Sequence, residues 1–361
     1  MKSKIYITDE GFGPIVRQRA IIEELIKLLP NLKVELQLDR HYKDAKRIIP
    51  GYKYTKKFNN IVWQKNEDGG PNISGISNYY KNYNQIAKEY IQTESVNFSS
   101  DFIISDFVYE AFEIAKKNNI PSFGTAHFTW DWFFSKLYPP VMDKKVISKM
   151  MERALLADVL FFPPFTPKEI LNFYKSKVIE VPLIVRKQKE DTVKEINKKP
   201  KIMFIDSGSG VNRLAMQQII TKLTLIDSFS FYISDSFDIQ AENITLIPTG
   251  EMLVDYIGLM DLVVGRAGFN TISECIAFKT PMLLFGENLN PEMRENAIFV
   301  KEEGLGSFTN LKQLIDSPQK VLEDFFEGEY TLINRNMQQN TYRTDGAKVI
   351  AEIIAEKVNR K

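Results

Sequence analysis

At 361 residues the chain has room for two domains of ordinary size, each able to bury its own core. Its 47 basic and 46 acidic side chains leave a formal net charge of +1, so no nucleic-acid partner and no general anionic surface is announced. A single cysteine, Cys275, cannot form an intrachain disulfide, and two histidines, His41 and His127, without a cysteine cluster argue against structural zinc.

The chain opens Met1-Lys2-Ser3-Lys4 straight into a short strand, and nothing in it approaches the ~18 apolar residues of a membrane span, so a cytoplasmic protein is expected. In chain order, strands are predicted over residues 4–8, 32–38, 102–105, 122–126 and 159–162. The first helix carries Ile22, Leu25, Ile26 and Leu29 on one face. Residues 51–71, rich in Lys, Asn and Gly, read as an excursion, and residues 78–93 as a tyrosine-bearing helix. Residues 187–200 are charged and lack apolar periodicity, as an interdomain linker does. Beyond them come strands over 201–205, 229–233, 244–247, 262–264 and 282–285, then a final helix over 346–359 with Val349, Ile350, Ile353 and Ile354 on one stripe. Alternation of strand and helix predicts an α/β fold with parallel sheets. The domains are accordingly residues 1–186, a linker over 187–200, residues 201–342, and a C-terminal helix over 343–361 that returns towards the first domain. No internal repeat is visible.

Residues 261–306 hold the densest chemistry. A short apolar strand leads into Gly265, Arg266, Ala267 and Gly268, read as a turn, and then into a helix over about 270–278. The first turn of such a helix offers unpaired backbone N–H groups, a natural seat for phosphate. Asn270, Thr271 and Glu274 share one face near that end, where a carboxylate can accept hydrogen bonds from ribose hydroxyls or merely complement the helix dipole. A second small-residue stretch, Ser207, Gly208, Ser209 and Gly210, follows a strand and can offer amides and hydroxyls to a diphosphate. Near the N-terminus, Asp9, Glu10, Gly11 and Gly13 end the first strand, and Arg17 stands one turn into the next helix, where it can meet a phosphate or solvent. Asp106 closes another strand, as a ligand group or a helix cap. Cys275 falls on the apolar side of its helix and reads as a buried small hydrophobe.

The order of residues 261–306 resembles the donor-nucleotide motif of GT-B glycosyltransferases, the group that includes the peptidoglycan N-acetylglucosaminyltransferase and the macrolide-type transferases. Residues 291–297, PEMRENA, stand where that family lays a segment over sugar and base, with Glu292 and Met293 in place of a glutamine pair and Asn296 before Ala297. The first loop is similar to the family's GxGHxxR loop, with Pro14 in place of the histidine. Residues 102–134, FIISDFVYEAFEIAKKNNIPSFGTAHFTWDWFF, resemble the glycosyltransferase-like half of arabinokinase-related proteins, and residues 157–165, 181–187 and 205–213 follow in the same order as there. The resemblance implies two Rossmann-like domains facing each other across a cleft, the first taking the acceptor and the second a nucleotide sugar, UDP-type favoured, with no metal or other cofactor. Donor contacts would fall to Ser207, Gly208, Ser209, Gly210, Gly265, Arg266, Ala267, Gly268, Asn270, Thr271, Glu274, Glu292 and Asn296. The acceptor side would hold Gly11, Gly13, Arg17, Asp106, Trp130 and Asp131, with 51–71 as its excursion. Asp9, Glu10 and His127 are the candidates for the acceptor base. His127 has an unperturbed pKa of roughly 6.5 and stands where the family has asparagine. Asp131 fits a sugar hydroxyl beside a tryptophan platform, or a core anchor.

Three other readings share these residues. GFGPIV over 11–16 looks like a dinucleotide fingerprint, but Val16 fills the third small position and no acid follows about 20 residues on, which disfavours NAD. A sugar-nucleotide hydrolase or epimerase would use the same Glu274 helix and a cleft carboxylate or His127. A catalytically degenerate nucleotide-sugar-binding protein is the reading that Pro14 motivates. The acceptor is open: a glycan, a lipid-linked group or a small molecule. Trp132, Phe133 and Phe134 beside Leu137 fit either interior packing or peripheral contact with a membrane.

Overall fold

The computed structural model describes residues 1–8, 10–56, 61–64, 71–96, 98–186, 199–205, 213–248, 254–286 and 290–360. They fall into two compact units, Met1–Ile184 with Thr344–Lys361, and Val185–Arg343.

The first unit is built on β1 (Lys2–Ile7), β2 (Lys33–Gln37), β3 (Lys53–Thr55), β4 (Phe102–Asp106), β5 (Ser122–Thr125), β6 (Val159–Phe162) and β7 (Val178–Glu180). Among the described residues these make one parallel sheet in the order β3-β2-β1-β4-β5-β6-β7. Strands covered on both faces are expected to be largely apolar; residues 102–104 of β4 and Val159–Phe162 of β6 are apolar and buried, whereas β1, β2 and β3 each begin on a lysine. Ile5, Ile7, Phe102, Ile104 and Phe161 enter the core beneath helices Gly13–Leu28 and Gly346–Asn359. Leu160 and Phe162 point instead into an aromatic core with Phe107, Phe112, Trp130, Phe133 and Phe134. The run 130–134 is thus interior.

The final helix, Gly346–Asn359, has the predicted bounds, but its contact stripe is rotated slightly. Ile350, Ile354, Ala347, Ala351 and Val358 are buried, while Val349 and Ile353 flank them half-buried. Burying each isoleucine contributes about 1.5–3 kcal/mol. The helix begins on glycine because a Cβ there would stand 2.1 Å from the Pro182 carbonyl oxygen and 2.8 Å from that of Leu183.

The second unit is built on β8 (Lys201–Ile205), β9 (Ser230–Ser234), β10 (Ile244–Ile247), β11 (Leu262–Arg266), β12 (Met282–Phe285) and β13 (Gly306–Phe308). Among the described residues the order is β10-β9-β8-β11-β12-β13, again parallel. Both sheets reverse strand order beside their first strand, between β1 and β4 and between β8 and β11. In open parallel sheets ligands enter at the carboxyl ends of such strand pairs.

Three strands escape sequence reading: β3, β7 and β13 are edge strands of three residues each, too short to show alternation. β3 lies inside the stretch read as an excursion. The helix expected over 78–93 is two helices, Ile73–Tyr80 and Tyr83–Ser95, the first capped by the Asn72 side chain accepting from the Gly75 amide at 2.9 Å. Most of the 187–200 linker lies outside the described residues.

Candidate functional site

In the second unit the strand before the nucleotide-type helix runs further than the sequence suggested. Gly265 and Arg266 belong to β11, Gly265 pairing with Ile205 and Leu284, so the turn is Ala267 and Gly268 alone. Gly265 is there for close approach, since a Cβ would stand 3.3 Å from the Ile205 carbonyl oxygen. The turn is held from two sides. The Ala267 amide donates to the Phe285 carbonyl at 3.0 Å, and the Asn296 side-chain amide donates to the Ala267 carbonyl at 2.9 Å. Asn296 itself is buried on helix Pro291–Glu302, which Asn290 caps by accepting from the Met293 amide at 3.2 Å.

Helix Phe269–Ala277 opens at Gly268, where an added side chain would meet no atom of the described residues within 4 Å. A ligand can therefore approach the first turn, where backbone N–H groups point outward. Asn270 and Thr271 are half-buried in that turn and Glu274 is buried in the next. Arg186 Nε donates to Glu274 Oε1 at 2.8 Å, and Nη2 lies 2.7 Å from the same oxygen. Burial raises the Glu274 pKa, Arg186 opposes the rise, and Asp255 adds to it. Arg266 reaches the sulfur of Met293 with Nη2 at 3.6 Å, and Glu292 is half-buried at the head of its helix. Ser207, Gly208, Ser209 and Gly210 lie outside the described residues. Sequence reasoning missed Arg186, although it had marked residues 181–187 as a run; nothing in the run says which carboxylate the arginine meets.

In the first unit the switch point is filled by side chains. Arg17 Nε donates to Asp106 Oδ2 at 2.9 Å and Nη2 to Oδ1 at 2.8 Å, a bidentate pair with both side chains under 5% exposed. Gln18 donates to Asp106 Oδ2 at 3.1 Å and to Thr125 Oγ1 at 2.6 Å. The chain bends sharply after Asp106: Phe107 has φ 48°, and Ser105 Oγ both donates to the Val108 carbonyl and accepts from its amide at 2.9 Å. Gln18 and Thr125 carried no signal in the sequence. His127, 7% exposed, presents Nδ1 3.4 Å from Arg17 Nη1. Because arginine only donates, that contact makes Nδ1 an acceptor and leaves the proton of a neutral ring on Nε2. Service as a base through Nδ1 would require release from Arg17.

Asp9 lies outside the described residues. Glu10 Oε1 accepts from Arg40 Nη1 at 2.9 Å and from the Trp63 amide at 3.0 Å. Gly11, with φ 74°, supplies the left-handed turn, Gly13 begins the helix, and Pro14 is its second residue. Trp130 and Asp131 are buried. Asp131 Oδ1 accepts from the Tyr109 hydroxyl at 2.6 Å, its amide donates back to that oxygen at 2.9 Å, and burial raises the carboxyl pKa against those bonds.

Two parallel Rossmann-like units, each with the switch beside its first strand, make the α/β architecture of GT-B glycosyltransferases. Within the chain, residues 214–353 match the glycosyltransferase family 28 C-terminal domain, a span that contains Gly265, Gly268, Glu274 and Asn296. Along its whole length the chain is 23% identical to an uncharacterized glycosyltransferase of Methanosarcina mazei, covering 100% of each. Among solved structures it is similar to CalG4, the calicheamicin glycosyltransferase, at 12% identity and TM-score 0.65, over 99% of this chain and 97% of that one. It is similar as well to the spinosyn rhamnosyltransferase SpnG complexed with thymidine diphosphate, at 10% identity and TM-score 0.63, over 98% and 99%.

Proposed function

We propose that this protein is a glycosyltransferase that takes a hexose-type sugar from a nucleoside-diphosphate donor, UDP-type favoured, held by its second unit. The observation that carries the reading is the buried Glu274 carboxylate, one turn into a helix that opens on Gly268, beside which no described atom would meet a side chain. The family match over residues 214–353 and the likeness to SpnG, which was solved with thymidine diphosphate and also with its aglycone, support it. In this reading the first helical turn takes the diphosphate and Glu274 the ribose, so charge that develops on the leaving group meets backbone N–H donors. As the anomeric carbon–oxygen bond to phosphate breaks, an acceptor hydroxyl bonds to that carbon and surrenders its proton to a base. Glu10, Asp9 and His127 are the residues of the first unit proposed for that proton, and the acceptor is a glycan, a lipid-linked group or a small molecule. The reading includes independence of metal and action in the cytoplasm. Among the described residues no helix is long and apolar enough to cross a membrane.

The test is thermal stabilisation against UDP-, dTDP- and GDP-sugars and NAD, followed by product analysis with and without acceptors. A sugar nucleotide at about 100 times its dissociation constant is expected to add roughly 2.7 kcal/mol, and Glu274→Ala to abolish the gain. Stabilisation by NAD alone, or by nothing in the panel, would overturn the reading. Release of free sugar at full rate without acceptor would replace transfer by hydrolysis, and loss of transfer in EDTA would remove the claim of metal independence.

A further inference from the structure

Glu274 is 5% exposed, in surroundings that oppose its charge. Burial raises its pKa and Asp255 reinforces the effect; the neighbouring Cys275 thiol, its own pKa pushed up by burial, is neutral and gives no help. The compensating cation is Arg186, which leads into residues 187–198 and meets Glu274 across 88 positions of sequence. Its contacts with that carboxylate, 2.8 Å from Nε and 2.7 Å from Nη2, both fall on Oε1. Among the described residues no hydrogen bond reaches Oε2.

We infer that Arg186 is a positioning residue for the donor: by gripping Oε1 it fixes the Glu274 carboxylate and turns Oε2 towards the paired hydroxyls of a ribonucleoside diphosphate, so that the site prefers ribose to 2′-deoxyribose. The inference rests on the donor reading above. An ionised carboxylate only accepts, and Oε2 has two lone pairs, enough for both vicinal hydroxyls; a protonated carboxyl spends one oxygen on its own proton. Hydrogen bonds to a charged acceptor are roughly twice as strong as neutral ones, so the hydroxyl that 2′-deoxyribose lacks is one of the valuable contacts. Without Arg186 the buried carboxyl loses both the cation that opposes the upward push of burial on its pKa and the grip that fixes its orientation.

The experiment is titration calorimetry with UDP and 2′-deoxy-UDP on the full chain, using wild type, Arg186→Lys, Arg186→Met, Glu274→Gln and the Arg186→Met/Glu274→Gln double variant. GDP and ADP serve as further probes, and thermal melts report folding. Wild type is expected to bind UDP about tenfold or more tighter than 2′-deoxy-UDP. Arg186→Met and Glu274→Gln should each lose about that factor for UDP and most of the discrimination, the double variant should be no worse than Glu274→Gln, and Arg186→Lys should keep part of both. Losses that multiply in the double variant would overturn the inference, because Arg186 would then touch the nucleotide on its own account. A lowered melting temperature with UDP affinity and sugar preference intact in Arg186→Met or Arg186→Lys would overturn it as well, leaving a structural ion pair. If no diphosphate binds the wild type, or if Glu274→Gln binds UDP as the wild type does, the donor reading itself fails, whatever Arg186→Met does.

Discussion

The two units repeat one strand order, yet opposite charges stand at the corresponding strand ends. β4 ends on Asp106, held by a buried bidentate arginine and a glutamine, with a histidine against the arginine. β11 ends on Arg266, and two residues on stands Gly268, where an added side chain would meet no described atom within 4 Å. Topology alone marks two places where ligands can enter, but chemistry divides them. The first is occupied by the protein's own ion pair, and the second combines a positive strand end with an open helix terminus, the arrangement suited to a diphosphate.

The comparison breaks most visibly at Asp106. Asp106→Ala strands Arg17 in the interior, and urea denaturation should register a loss of about 3–5 kcal/mol from the first unit. If the loss is below ~1 kcal/mol, the pair is not the buried keystone that its geometry implies. Next in size is Gly346→Ala, where the added carbon meets the Pro182 carbonyl oxygen at 2.1 Å; a cost of about 1–3 kcal/mol is expected in the same assay.

Asp131→Asn tests the buried carboxyl of the first unit by its pH dependence. Burial raises the native pKa above the ordinary 3.8, so the native state binds more protons than the unfolded chain from about that pH up to the native pKa. Stability from this group therefore falls as pH rises through that window and is level above it. The substituted amide cannot titrate and still accepts from Tyr109, so the variant should show a flatter profile there. Parallel profiles for the two proteins would show that Asp131 ionises without cost.

The smallest effect on stability is expected at Gly268. Its φ of −81° suits any residue and no atom of the described residues lies within 4 Å of the added carbon, so Gly268→Ala should shift stability by less than about 0.5 kcal/mol. Its effect belongs to the ligand: calorimetry should find weaker nucleotide binding in a protein that melts normally. Unchanged binding would move the diphosphate away from this turn.

Much of the element pattern was legible because apolar runs of four or five residues between turns are hard to mistake, and because the C-terminal helix carries its stripe over four turns. Gly265 shows where legibility stops. Read as a turn glycine, it is a strand glycine packed closely against the backbone of Ile205, a neighbour about 60 positions away that no local pattern names. The split of residues 78–93 into two helices and the three edge strands were lost for a related reason, since short elements borrow their stability from partners.

By itself the sequence determined alternating strands and helices, two segments of chemistry-bearing residues at strand ends, and the helix on which Glu274 stands. These are local consequences of period, glycine placement and helix polarity. Only the tertiary structure decided that Arg17 belongs to Asp106 across 89 positions and Arg186 to Glu274 across 88. Charge pairing in a buried site depends on distance and dehydration, and neither is written in the spacing of residues along the chain.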